Sequence, residues 1–238
     1  MALKPFKFKQ FSVEQDRCAM KVGTDGVLLG AWASIDHLPE AILDIGAGTG
    51  LISLMLAQRT VHPFIEAIEI DDKAYEQCTE NFEASPWANR LFCYHASLLE
   101  FTEEVEDQFD LIVCNPPFFD ASFKTGEASR NLARFQDALP FEHLIYAVRR
   151  LLSAHGKFSV ILPYDMHKAF IDIAQSVHLH LNSTCSVKGT PDSNPKRALM
   201  EFSFQQSKVK VQSLVIETSR HQYTQEYRSL TKEFYLKM

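Results

Sequence analysis

LDIGAGTG, residues 43–50, closes an apolar run from Ala41 to Ile45 and opens a stretch of helical period that continues to Arg59. A strand, a glycine-rich turn and a helix N-terminus in that order build a corner where ligands meet the carboxyl ends of strands. Glycine lacks a Cβ, so Gly46, Gly48 and Gly50 let the backbone come close to a bound molecule. Their spacing, Gly-x-Gly-x-Gly, is one residue shorter than the pattern that cradles a dinucleotide pyrophosphate.

Outward from this corner, short β-branched or apolar runs alternate with longer helical stretches, as in a parallel sheet covered by helices. The runs are Ala41 to Ile45, Phe64 to Ile70, Leu91 to His95, Phe109 to Cys114 and Lys157 to Leu162. Helices are predicted over Thr49 to Arg59, Asp72 to Ala84 and Pro140 to Leu152, and from Tyr164 to about Val177. Then His178 to Val187, Arg197 to Gln205 and Lys210 to Glu217 alternate as antiparallel strands do, and Tyr223 to Lys237 reads as a closing helix. The expected architecture is α/β: a Rossmann-like, mostly parallel central sheet with helices on both faces, antiparallel C-terminal strands and a small N-terminal extension. That extension covers residues 1–40, with a hairpin from Phe6 to Val22 and a helix around Thr24 to Ala33; residues 41–238 form the main domain. Two segments fit no element, Asp120 to Leu139 and Lys188 to Arg197, and long polar loops inside compact domains are commonly functional.

Chemistry enters at three places. Asp44 sits within the glycine corner, where a carboxylate repels pyrophosphate but suits an ammonium group, directly or through water. Glu69 ends the second run about 20 residues past the glycines, where an acid can accept hydrogen bonds from both ribose hydroxyls. NAD enzymes use the same device, so Glu69 alone does not discriminate. S-adenosylmethionine, which has no phosphate, suits both acids and the shortened spacing.

The discriminating motif is NPPF, Asn115 to Phe118, after the run FDLIVC. An exocyclic aromatic amine has its lone pair delocalised into the ring, and the nitrogen must be drawn out before it attacks a sulfonium methyl. The side-chain oxygen of Asn115 and the backbone carbonyl of Pro116 would accept from the two N–H groups and favour pyramidal geometry. Each proline fixes φ at about −65° and lacks an N–H, so the carbonyl direction is set before binding. Phe118 would stack on the ring, a contact worth about 1 to 3 kcal/mol per base. No general base is needed beforehand, because the sulfonium charge disappears as the methyl moves.

The order LDIGAGTG, AIEID, FDLIVCNPPF resembles the class I, amine-directed methyltransferases over the first two thirds of the chain. Outside those boxes, FKFKQFSVEQDRCAMKVGTDGVLLGAW, SPWANR and YTQEYRSLTKEFYLKM resemble the bacterial tRNA(Val) methyltransferases that act on adenine-37 N6. The resemblance implies that Asn115 and Pro116 hold the amine, that Pro117 and Phe118 line the base pocket, and that Asp44, Gly46, Gly48, Gly50, Glu69 and Ile70 surround the cofactor. KVGTDG adds Thr24 and Asp25, and Lys21 with them, since in similar enzymes the stretch before the first strand closes over the methionine end. Equally, Thr24 reads as the cap of the following helix. Where relatives often place an acid near the cofactor's adenine amine, this chain has Ser97.

The net charge of −6 is unevenly spread: residues 66–110 carry 2 cations against 13 acids, and residues 111–238 carry 16 against 11. The acidity of the whole therefore does not exclude a polyanionic partner for the rest. Arg130, Arg134, Lys188, Lys196 and Arg197 are candidate phosphate contacts, and Lys4, Lys7 and Lys9 could share one hairpin face. Five scattered cysteines, Cys18, Cys78, Cys93, Cys114 and Cys185, read as reduced thiols, with no metal site expected. No apolar run reaches membrane-span length and the start lacks a signal-peptide core, so a cytoplasmic protein with a tRNA substrate and no membrane partner is expected. Two alternatives stay open: methylation of a protein glutamine or another nucleic-acid amine, and a non-catalytic nucleotide-binding module.

Overall fold

A computed structural model describes residues 4–117 and 139–238. A short hairpin, β1 (Phe6–Lys7) with β2 (Ser12–Val13), leads to helix α1 (Thr24–Trp32). Then follow β3 (Ala41–Ile45), α2 (Leu51–Arg59), β4 (Phe64–Glu69), α3 (Asp72–Glu83), β5 (Leu91–His95), α4 (Leu98–Glu104) and β6 (Phe109–Cys114). After residue 138 come α5 (Phe141–Leu151), β7 (Leu152–Pro163), α6 (His167–Ser176), β8 (His180–Lys188), β9 (Arg197–Ser203) and β10 (Lys210–Val215). A second small hairpin, β11 (Glu217–Ser219) with β12 (Gln222–Tyr223), precedes α7 (Gln225–Thr231).

Eight strands make one sheet in the order β10-β8-β9-β7-β6-β3-β4-β5. From β3 the chain steps outward to β4 and β5, then returns to place β6 and β7 on the other side, all in parallel. The direction of winding thus reverses between β3 and β6, and at such a switch point the loops after the two strands diverge and leave a crevice. Both faces are covered, which is why the central strands are apolar almost throughout. In β6, Leu111 and Val113 join the layer under α1 and α2, with Leu28, Leu54 and Met55; Ile112 and Cys114 join the layer under α5, with Leu144 and Phe158.

The N-terminal hairpin shares the first of these cores. Phe8, Phe11 and Val13 are buried in it, Phe8 pairs with Tyr235 across an isolated bridge, and Lys9 donates its backbone N–H to Phe234 O at 2.8 Å. Gln58 on α2 reaches the Glu233 carbonyl at 2.8 Å. Among the described residues no helix is long and apolar enough to cross a membrane.

Several local expectations need correction. The hairpin stops at Val13 and residues 14–22 run as an irregular strap. Within the main sheet, among the described residues, antiparallel pairing is confined to β9 with β7 and β8, whereas β10 joins β8 in parallel. Period-2 alternation reports a pleated strand but carries no information about its partner's direction. The closing helix ends at Thr231, because Phe234 and Tyr235 turn back onto the hairpin. Helix α4 had no counterpart in the sequence reading, although its signature is present: Ser97 and Glu100 form a capping box.

Candidate active site

Ile45 on β3 lies beside Cys114 on β6, so the next residue of each strand, Gly46 and Asn115, enters the crevice together. The turn that follows Gly46 is fastened to β4. Gly46 and Ala47 donate their N–H groups to Ile68 O at 2.9 and 3.1 Å, and Gly48 donates to Glu69 Oε2 at 2.8 Å. The other carboxylate oxygen of Glu69 accepts from the N–H groups of Ile70 and Asp71, both at 2.9 Å. Glu69 therefore shapes the turn as well as flanking it, and Ile70, beside it, is largely exposed.

All three glycines adopt left-handed φ, at 70°, 56° and 77°, but they do different work. A Cβ at Gly46 or Gly48 would meet nothing within 4 Å, so their bareness opens space above the turn. A Cβ at Gly50 would fall 2.5 Å from Phe82 and 2.9 Å from the Cys78 sulfur, so this glycine lets α3 pack against the start of α2.

Asp44 is buried, and only one of its oxygens is used: Oδ2 accepts from the Ser53 hydroxyl at 2.7 Å and from its N–H at 3.1 Å. Oδ1 is buried without a hydrogen-bond partner among the described residues. Burial pushes its pKa up to about 6, the Ser53 bonds oppose the rise, and Glu69 nearby adds to it. Two acids so close to a ligand corner select for a cation and against phosphate. The unmatched Asp44 oxygen, the open space over Gly46 and Gly48, and Glu69 on the second strand fit the ammonium, the body and the ribose of S-adenosylmethionine.

Asn115 presents the second unmatched acceptor. Among the described residues its Oδ1 is buried without a partner, while its Nδ2 faces the Met20 sulfur at 3.9 Å. Pro116 is buried and Pro117 exposed. Burial holds the neighbouring Cys114 thiol well above its ordinary pKa, so it stays protonated beside the site. Phe118, Arg130 and Arg134 lie outside the described residues.

The remaining predicted residues divide by what they already touch. Gly23, and not Thr24, is the N-cap of α1; no side chain caps it, and Thr24 is exposed. Asp25 accepts from Arg197 Nε at 2.7 Å, which pairs two residues expected to serve different ligands. Lys21 Nζ donates to the carbonyls of Gln15 and Cys18, both at 2.6 Å, and so braces the strap. Ser97 spends its hydroxyl on the α4 cap, donating to Glu100 Oε2 at 2.7 Å and accepting from Glu100 N–H at 3.2 Å. Lys188 and Lys196 flank the loop between β8 and β9, which opens on the same edge of the sheet as Asn115; Lys196 is exposed, and Lys188 Nζ donates to the Pro191 carbonyl at 3.4 Å. Lys9 Nζ is tied to the Lys232 carbonyl.

Reading the sequence missed Ser53, Gln77, Asn81 and Met20. Gln77 and Asn81 did carry a signal: they sit one turn apart within the buried stripe of α3 that also holds Ala74, Cys78 and Phe82. Buried amides in such a stripe must find partners.

Fold and site together define a methyltransferase, and the model of the methyltransferase small domain matches residues 25–162. Among solved structures, a predicted O-methyltransferase of Agrobacterium tumefaciens superposes with a TM-score of 0.67 at 18% identity, covering 88% of this chain and 96% of that one. A Pyrococcus horikoshii protein in complex with MeSAdo superposes with a TM-score of 0.58 at 12% identity, covering 86% and 72%. The tRNA1(Val) (adenine(37)-N6)-methyltransferase of Flavobacterium psychrophilum is 60% identical over 98% of this chain and 100% of its own length. The chain belongs to the tRNA1(Val) (adenine(37)-N6)-methyltransferase family.

Proposed function

We propose that this protein transfers a methyl group from S-adenosylmethionine to the N6 amine of adenine 37 in tRNA1(Val), working in the cytoplasm where that substrate is found. The observation that carries the reading is the buried Oδ1 of Asn115 beside the glycine turn, which has no partner among the described residues. A buried acceptor left unmatched costs about 1 to 3 kcal/mol, and an incoming N–H removes that cost. Asn115 then accepts a hydrogen bond from one N–H of the amine and the Pro116 carbonyl one from the other, holding the nitrogen toward the donor. When bound, S-adenosylmethionine supplies an electrophilic methyl group on a positively charged sulfur. Asp44 faces its ammonium through Oδ1, and Glu69 keeps lone-pair capacity for the ribose hydroxyls. The chain contributes position and acceptors, with no covalent step of its own. Nucleoside mass spectrometry of tRNA incubated with the protein and labelled cofactor, together with nuclease mapping of the labelled fragment, tests the proposal. N6-methyladenosine at position 37 is expected; label found only on protein glutamine overturns it.

A further inference from the structure

The strap of residues 14–22 shares a helix side chain with the glycine turn and reaches Asn115 through Met20, yet none of it belongs to a helix or strand. Two buried amides on α3 hold it. Asn81, 2% exposed, accepts the Glu14 N–H at 2.8 Å and donates to the Glu14 carbonyl at 2.9 Å; its Nδ2 also donates to the Thr49 carbonyl of the glycine turn at 2.9 Å. Gln77, 1% exposed and one turn earlier, accepts the N–H groups of Arg17 and Cys18 at 3.1 and 3.2 Å and donates to Asp16 Oδ1 at 2.6 Å. Arg17 reinforces the contact from outside through Glu76 and Glu80. A single carboxamide, that of Asn81, therefore ties the strap and the glycine turn to the same helix.

We infer that Gln77 and Asn81 are positioning residues that clamp the strap to the glycine turn, so that methyl-donor binding and the Met20–Asn115 contact are set together. The inference deepens the proposed function and rests on it. Irregular backbone gains its order from such side-chain bonds, and here every polar atom of both amides is spent on the strap or the turn. The clamp acts through backbone position: loss of the Asn81 carboxamide frees Thr49 O, and release of residues 14–18 from α3 loosens Met20 beside Asn115.

The test uses a reversal of donor and acceptor. Gln77→Glu keeps the acceptor for Arg17 and Cys18 but sets a carboxylate against Asp16; adding Asp16→Asn returns a donor from the other side. For Gln77→Glu, calorimetry should show S-adenosylmethionine affinity reduced on the order of tenfold. Trypsin should cut faster after Arg17 and Lys21, and the cofactor should no longer protect those bonds. The double variant should recover both affinity and protection. A lower Tm for Gln77→Glu with unchanged affinity and protection would mean a purely structural amide and overturn the inference. Failure of the wild-type chain to bind S-adenosylmethionine would instead overturn the functional reading and this inference with it. Should Gln77→Glu not fold, Met20→Ala carries the test, since Met20 is half exposed: turnover at saturating cofactor should fall several-fold with Tm unchanged, and unchanged turnover overturns the inference.

Discussion

Asp44 takes both of its hydrogen bonds on one oxygen and from one residue, Ser53, which leaves the other oxygen bare inside the protein. Its folded-state pKa of about 6 lies above the ordinary 3.8. A raised acid stabilises the ligand-free fold fully below the lower value, and that stability is lost as pH rises through the upper one. At neutral pH the ionised group costs about 3 kcal/mol. Asp44→Asn should therefore gain Tm relative to wild type as pH is raised from about 4 to about 7.5 without cofactor. Parallel melting curves would show the carboxylate to be unperturbed.

The same group makes cofactor binding pH-dependent. Wild-type affinity for S-adenosylmethionine should weaken as pH falls below about 6, because protonated Asp44 no longer attracts an ammonium. In Asp44→Asn the affinity should be weaker throughout and flat across that range. Calorimetry at a series of pH values measures both, and an equally steep profile in the variant would count against Asp44.

Asn115→Ala removes the acceptor proposed for the amine, together with the Met20 contact. Turnover should drop by at least about 100-fold, the order seen when a positioned hydrogen-bonding group is lost, while cofactor affinity changes little. Steady-state methylation assays beside a binding isotherm separate the two. Near-normal turnover would remove the carboxamide from the reaction.

The glycines should fail in different ways. Gly48→Ala has room for its methyl group in the ligand-free protein and costs only left-handed strain of about 1 to 2 kcal/mol, but the added carbon enters the space proposed for the cofactor. It should fold and lose cofactor binding. Gly50→Ala meets Phe82 and Cys78 and should lower Tm more than Gly48→Ala does. Differential scanning of both variants, with and without S-adenosylmethionine, tells them apart.

Lys196 is exposed on the edge of the sheet that bears Asn115. Lys196→Ala should weaken tRNA binding and reduce the slope of affinity against salt concentration by about one ion. Fluorescence titrations at several salt concentrations give the slope, and an unchanged value would place Lys196 away from the phosphates.

What could be read in advance was whatever is written in consecutive residues. The glycine turn, the Asn-Pro-Pro box and the bounds of β3, β5 and β6 are local patterns, and the structure bears out the α/β sheet built on them. Partnership between distant segments was not legible. Nothing in Lys210–Val215 tells whether β10 lies parallel or antiparallel to β8, because alternation is the same in both. Asp25 and Arg197 were each assigned a ligand, yet they pair with one another across 172 positions. Ser97, a candidate for the cofactor, also caps α4, and the signal for that second duty is Glu100 three residues on.

The pairing of Phe8 with Tyr235 has a temporal consequence. The amino-terminal hairpin that leads into the strap cannot settle against its partner until residue 235 has been synthesised. A nascent chain emerging from the ribosome can thus dock residues 14–18 on α3 early, but the first strand of the hairpin gains its last neighbour only when synthesis is nearly complete.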